Sequence, residues 1–250
     1  MWHLDENKAV LKSPTFAIEI DIHAPQSGAV LNQANGTAWR GGNLLRIHSK
    51  SSDEVGDPKC ESVHRRGPDL VVDYRMSKVP EFTWQVYWRA LTDLDSPTVL
   101  GGVELILSVQ TELLDSDPRM LVESRLNDSR VFHIESGGHA PVEAIEVAAS
   151  DIQSPVKLNP PGILLTRPYE ASCSYLELVH PSDFIDVEIV RTSPDASEFT
   201  SRFTMFEAPL EKGVIRRGRL RALLLPRQAD TDAARSCYQQ FVAAPIPLTA

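Results

Sequence analysis

Between Phe16 and Ile22 the chain alternates without a break: Phe16, Ile18, Ile20 and Ile22 are large and apolar, while Ala17, Glu19 and Asp21 are small or charged. Successive side chains of an extended strand point to opposite faces, so a period of two builds one apolar and one polar face. Segments rich in β-branched and aromatic residues recur at Leu70–Tyr74, Thr83–Leu91, Val103–Thr111, Met120–Leu126, Val131–Glu135, Tyr175–Val179, Ile185–Val190, Phe199–Phe206 and Val214–Leu225. Turn chemistry separates them at Asp93-Leu94-Asp95-Ser96-Pro97, Asp115-Ser116-Asp117-Pro118 and Ser136-Gly137-Gly138. No helical period intervenes between the strands, which excludes βαβ units. The pattern predicts an all-β fold, a large antiparallel two-layer sandwich, as a single domain over residues 1–250.

One segment has a different period. In Asp230–Phe241 the residues Ala234, Cys237, Tyr238 and Phe241 recur every three or four positions, which predicts a short C-terminal helix packed on the sandwich. Composition narrows the function classes. A net charge of −9 argues against a nucleic-acid or anionic-membrane partner. No apolar run reaches the ~18 residues of a membrane span, and the start Met1-Trp2-His3-Leu4-Asp5-Glu6 lacks the basic and apolar regions of a leader. The three cysteines, Cys60, Cys173 and Cys237, are far apart and odd in number, so neither a disulfide framework nor a zinc site is expected. A reducing, cytoplasmic setting follows as the expectation. No cofactor or metal is expected, and oligomeric state is left open.

Chemistry-bearing residues concentrate on the polar sides of the long strands. Alternation sets Trp84, Val86 and Trp88 on one side of Thr83–Leu91 and Gln85, Tyr87 and Arg89 on the other. If the strands are neighbours, Glu104, Gln110, Glu123 and Arg125 share that polar face. Arginine forks and carboxylates bind hydroxyls, and an aromatic ring packs on the apolar side of a sugar; cross-strand ion pairing is the plainer account of the same face. Arg217, Arg219 and Arg221 fall together on one strand face, where Glu188 or Glu207 is expected to neutralise them. His64, within 62–67 beside Arg65 and Arg66, and His133 are candidate acid or base groups.

The early Gly41-Gly42-Asn43-Leu44-Leu45-Arg46 segment, and the later Glu207…Glu211-Lys212-Gly213-Val214 turn leading into the final strand, resemble those of the galactose-mutarotase-like supersandwich superfamily. That resemblance implies a carbohydrate or sugar-like ligand, and a late glutamate, Glu207 or Glu211, as base. Mutarotases resemble one another through a His-Pro-Tyr-Phe-Asn-like stretch; here His180-Pro181 is followed by Ser182-Asp183. Under this reading His64 or His133, with Glu123, Glu207 or Glu211, supplies acid and base, while Arg65, Gln85, Tyr87, Arg89, Glu123, Arg125 and Arg217 bind the ligand. The residues also leave open a protein-interaction or structural module and a metal-dependent hydrolase.

Overall fold

The computed structural model describes residues 1–39, 42–79, 81–92, 97–134, 144–147, 156–158, 162–183, 185–191 and 198–245. The predicted turns at 93–96 and 136–138 lie outside the described residues. In chain order the strands begin with β1 (Trp2–Asp5), β2 (Lys8–Lys12), β3 (Phe16–Asp21), β4 (Ala29–Ala34), β5 (Thr37–Ala38), β6 (Asn43–Leu44) and β7 (Arg46–Ser49). A one-turn helix α1 (Ser52–Val55) precedes β8 (Pro58–Arg66), β9 (Asp69–Met76), β10 (Phe82–Leu91), β11 (Gly101–Thr111), β12 (Met120–Leu126) and β13 (Ser129–Ile134). Then come β14 (Ala144–Glu146), β15 (Val156–Leu158), β16 (Ile163–Pro168), β17 (Cys173–Val179), β18 (Asp186–Arg191), β19 (Phe199–Met205), β20 (Ile215–Pro226) and helix α2 (Asp230–Ala243).

The pairings are antiparallel and form three sheets. Nine strands run in the order β14-β13-β16-β17-β20-β11-β10-β9-β8 and make one layer. The opposing layer joins a five-stranded sheet, β15-β18-β19-β12-β7, to an N-terminal sheet, β1-β2-β3-β4-β5 with β6 on β4. Gly42 allows that junction: at φ 97° a Cβ there would lie 2.3 Å from the Arg125 carbonyl oxygen, so only glycine lets this segment approach β12. The Leu45 N–H then donates to Ser124 Oγ (2.9 Å).

Trp84 and Trp88 are 2% and 1% exposed and face the opposing layer with Val86, Leu105, Leu107 and Val109, as the alternation predicts. Gln85, Tyr87 and Arg89 lie on the outer face of the same sheet. α2 covers part of that outer face, over Phe132, Ile163, Leu165, Leu176, Leu178, Leu223 and Leu225. A strand beneath it is covered on both sides, which is why β17 is buried throughout and shows no clean alternation of exposed and buried positions. Asp230 anchors the helix: it is 3% exposed and accepts from Arg167 Nε (2.9 Å) and Nη2 (2.6 Å) and from Ser174. Burial pushes this carboxyl up, but the hydrogen bonds from Arg167 and Ser174 outweigh it and hold the group below the usual carboxylate range. Asp230→Ala removes the buried carboxylate that Arg167 and Ser174 hold, and a loss of about 1–3 kcal/mol is expected in urea unfolding, with part of the helical circular-dichroism signal lost before the main transition.

Two expectations need correction. β12 is not a neighbour of β10 and β11; it lies in the five-stranded sheet, so Glu123 and Arg125 do not share a face with Gln85, Tyr87 and Arg89. Nor is Glu188 a partner of the basic strand. Arg217, Arg219 and Arg221 do share one face, but Arg221 Nε pairs with Glu104 (2.5 Å), and Arg219 lies over the Phe241 ring at 5.3 Å. The strand order, set by long-range pairing, decides which charges meet.

Candidate functional site

The outer face of the five-stranded sheet gathers polar groups from four strands that each alternate. In β7 Ile47 points into the core while Arg46 and His48 point out. In β12 Val122 and Ser124 are inside, and Leu121, Glu123 and Arg125 outside. β19 offers Arg202 and Thr204, and β18 offers Glu188 and Asp186. Register aligns Arg46, Glu123, Arg202 and Glu188 in one row, with His48, Leu121, Thr204 and Asp186 in the next.

Glu123, 5% exposed, is the centre of the row. It accepts from Arg202 Nε (2.6 Å) and Arg46 Nη1 (3.2 Å), and His48 Nε2 stands 3.7 Å from it. Arg202 also reaches Glu188 at 3.5 Å, and Arg46 Nε donates to the Gln26 carbonyl (3.0 Å). One carboxylate thus serves two guanidiniums, each of which presents a fork of five N–H donors. Arg125 lies near Arg46 and adds like charge. Burial lowers the His48 pKa against the opposing pull of Glu123, which favours a neutral imidazole with one donor and one acceptor nitrogen at pH 7.

A cavity of about 290 Å³ lies beyond the ends of β12 and β19, lined by Asp115, Ser116, Asp117, Pro118, Arg119, Glu207 and Pro209. Phe206, at φ 64°, takes a left-handed conformation and turns the chain there. Asp117 accepts from Arg119 Nε (2.8 Å) and from Ser51, and the Arg119 bond holds it below the usual carboxylate range despite partial burial.

The other expected residues are dispersed. His64 is exposed on the edge strand β8, and Arg65 donates to the Trp2 carbonyl (2.8 Å). His133 is buried, in β13 beside Leu164. Glu211 sits in an exposed turn before β20. Gln85, Tyr87, Arg89 and Arg217 share the outer face of the nine-stranded sheet, where Arg89 is matched one-to-one by Asp69 (2.8 and 3.0 Å) and Gln85 by Asp73 (2.7 Å). The expectation of one pocket holding His64 or His133 with these arginines and glutamates is therefore not met. His48 and Arg202 were not among the expected site residues, and Arg46 entered only as the end of the early glycine segment; the alternation Arg46-Ile47-His48 after Leu45 is the signal that marks the first strand of the row. Among the described residues, no group of three His, Cys, Asp or Glu side chains is placed to hold a metal ion, and no helix is long and apolar enough to cross a membrane.

No protein-family model matches the chain, and no curated protein matches it in sequence. Solved structures do match. A galactose mutarotase-like protein from Lactobacillus casei ATCC 334 superposes with a TM-score of 0.58 at 12% identity, over 86% of this chain and 99% of that one. A protein of Escherichia coli K12 provisionally named an aldose 1-epimerase gives 0.54 at 10% identity, over 87% of this chain and 98% of that one. An α-N-acetylgalactosaminidase from Bifidobacterium bifidum, solved with GalNAc, gives 0.51 at 13% identity, over 97% of this chain and 38% of that one. Two layers, antiparallel order and coverage of nearly the whole length of the first two structures agree: the chain has the galactose-mutarotase-like supersandwich fold.

Proposed function

We propose that this protein is a carbohydrate-binding domain of the galactose-mutarotase-like type that holds a sugar on the outer face of the five-stranded sheet and acts on its ring by acid/base chemistry. The observation that carries the reading is the shared carboxylate: Glu123 sits between Arg46 and Arg202, with His48 beside it. With Arg125 beside Arg46, three guanidiniums stand around the two carboxylates Glu123 and Glu188, which leaves donors for vicinal hydroxyls, unlike the bidentate pairing of Arg89 with Asp69 on the other sheet. The fold is one it shares with proteins named for aldose epimerase and mutarotase chemistry.

Anomeric exchange needs a base to take the proton from the anomeric hydroxyl and an acid to protonate the ring oxygen as its bond to C1 breaks; closure on the other face of the aldehyde reverses both transfers. His48, neutral at pH 7, suits the acid/base role, with Glu207 as the second group and Arg46, Arg125 and Arg202 orienting hydroxyls. Saturation-transfer NMR against neutral and acidic monosaccharides tests binding, and the rate of anomeric exchange tests catalysis. Arg202→Met is expected to weaken binding about tenfold or more, the loss of one charged hydrogen bond. His48→Gln is expected to slow exchange with little change in binding. Sugar binding that is indifferent to both Arg46→Met and Arg202→Met would place the ligand elsewhere.

A further inference from the structure

The outer face of the nine-stranded sheet is covered by α2 only over its β13-β16-β17-β20 half. On the β8-β9-β10-β11 half lie two adjoining cavities. One, of about 300 Å³, includes Asp73, Thr83, Gln85, Ser108, Gln110 and Arg217 in its wall. The other, of about 340 Å³, is walled by Arg75, Glu81, Thr83, Gln110 and Glu112. Thr83 and Gln110 belong to both and face each other across β10 and β11, so the two form one groove.

Ser108 marks the groove as more than a solvated surface. It is 6% exposed, its hydroxyl lacks a hydrogen-bond partner among the described residues, and register places it between Gln85 and Arg217 on the groove side. Buried hydroxyls ordinarily have partners. Gln85 is preset: its Nε2 donates to Asp73 (2.7 Å), which leaves its carbonyl oxygen to accept. The floor is therefore hydroxyl and amide, groups that pair with partners which both donate and accept.

The charges argue against an ionic ligand. Glu61, Asp73, Glu81 and Glu112, four carboxylates, line the groove with two guanidiniums, Arg75 and Arg217, a balance that repels polyanions. Glu61 is already held by Arg75, Asp73 by Gln85 and Ser62, and Glu112 by Lys212 (3.4 Å), so these three carboxylates are not waiting for a cation.

We infer that this groove binds a neutral oligosaccharide, more than one sugar unit long, at a site separate from that on the five-stranded sheet. The test is titration of the full chain with uncharged gluco-, xylo- and galacto-oligosaccharides of one to six units, followed by calorimetry and amide chemical shifts. Affinity is expected to rise about tenfold from one unit to three, as successive subsites fill. Shifts are expected at 83–85 and 108–110. Gln85→Ala with Gln110→Ala is expected to weaken binding by a similar factor while leaving the melting temperature within a few degrees, since both side chains are half-exposed. Arg46→Met with Arg202→Met is expected to leave the groove's affinity unchanged, which separates this proposal from the one above. Equal affinity for one and six units, an unaffected Gln85/Gln110 variant, or binding at the groove only of oligolysine or a heparin oligosaccharide would overturn it.

Discussion

Glu177→Ala is expected to lower the stability of the fold by about 3–4 kcal/mol, and Glu177→Gln by much less. Glu177 lies in β17, 1% exposed, between the nine- and five-stranded sheets. Ser124 Oγ donates to its Oε1 (2.5 Å), Tyr175 OH to the same oxygen (3.0 Å), and Ser201 Oγ to Oε2 (2.6 Å). Ser124 and Ser201 are register partners on β12 and β19, so one side chain ties both strands to the opposite layer. Alanine leaves three interior hydroxyls and a void; glutamine keeps the shape and most of the bonds.

The same group carries a pH signature. Burial pushes the Glu177 carboxyl above the usual range, outweighing the three hydroxyl bonds that pull it down. A folded pKa above the unfolded value of about 4.3 means that the native state binds the proton more tightly. The stability this contributes is fully present below the unfolded pKa and is lost as pH rises through the raised folded value. Glutamine does not titrate, so the stability of Glu177→Gln relative to wild type is expected to improve as pH increases from about 4. Urea unfolding at a series of pH values measures both effects. A flat difference between the two proteins across pH, or a loss under about 1 kcal/mol for Glu177→Ala, would show that the interior network does not bear on stability in this way.

Trp88→Ala is expected to cost about 3–5 kcal/mol, the range for truncating a large core aromatic. The ring is in the main core, opposite Leu70 and Leu105, and its backbone carbonyl accepts from Trp2 Nε1 (2.9 Å), which fastens the N-terminal sheet to the long strand. The adjacent Arg89→Ala removes a half-exposed guanidinium from the buried Asp69 carboxylate, and a smaller loss of about 1–3 kcal/mol is expected. The contrast between neighbouring positions is the measurement. Alternation makes it sharp, because a slip of one residue would exchange the two faces. If Arg89→Ala proved the costlier change, the orientation of β10 would be wrong.

Much of this architecture is legible in local pattern. The alternation in Phe16–Ile22 and Thr83–Leu91 specifies which side chains are buried, because backbone geometry within a strand fixes the period at two. The three-and-four spacing of Ala234, Cys237 and Phe241 specifies α2 for the same reason. Other strands carry weak signals: β8, Pro58–Arg66, is a largely exposed, charged edge, and β17 is buried on both faces, so neither shows a clean alternation. The early glycine segment and the late glutamate turn pointed to the supersandwich fold that the superposed structures share.

Which polar faces meet was decided elsewhere. Arg46 and Glu123 are 77 residues apart and Arg202 and Glu123 are 79, and no periodicity relates them. Their row exists because β7, β12 and β19 pair side by side in a second sheet, away from the long strands whose polar faces β12 resembles. A strand's own residues determine which of its faces is polar. The strand it pairs with is chosen by the packing of the whole core, and that choice placed His48 beside Glu123 and left His64 and His133 apart.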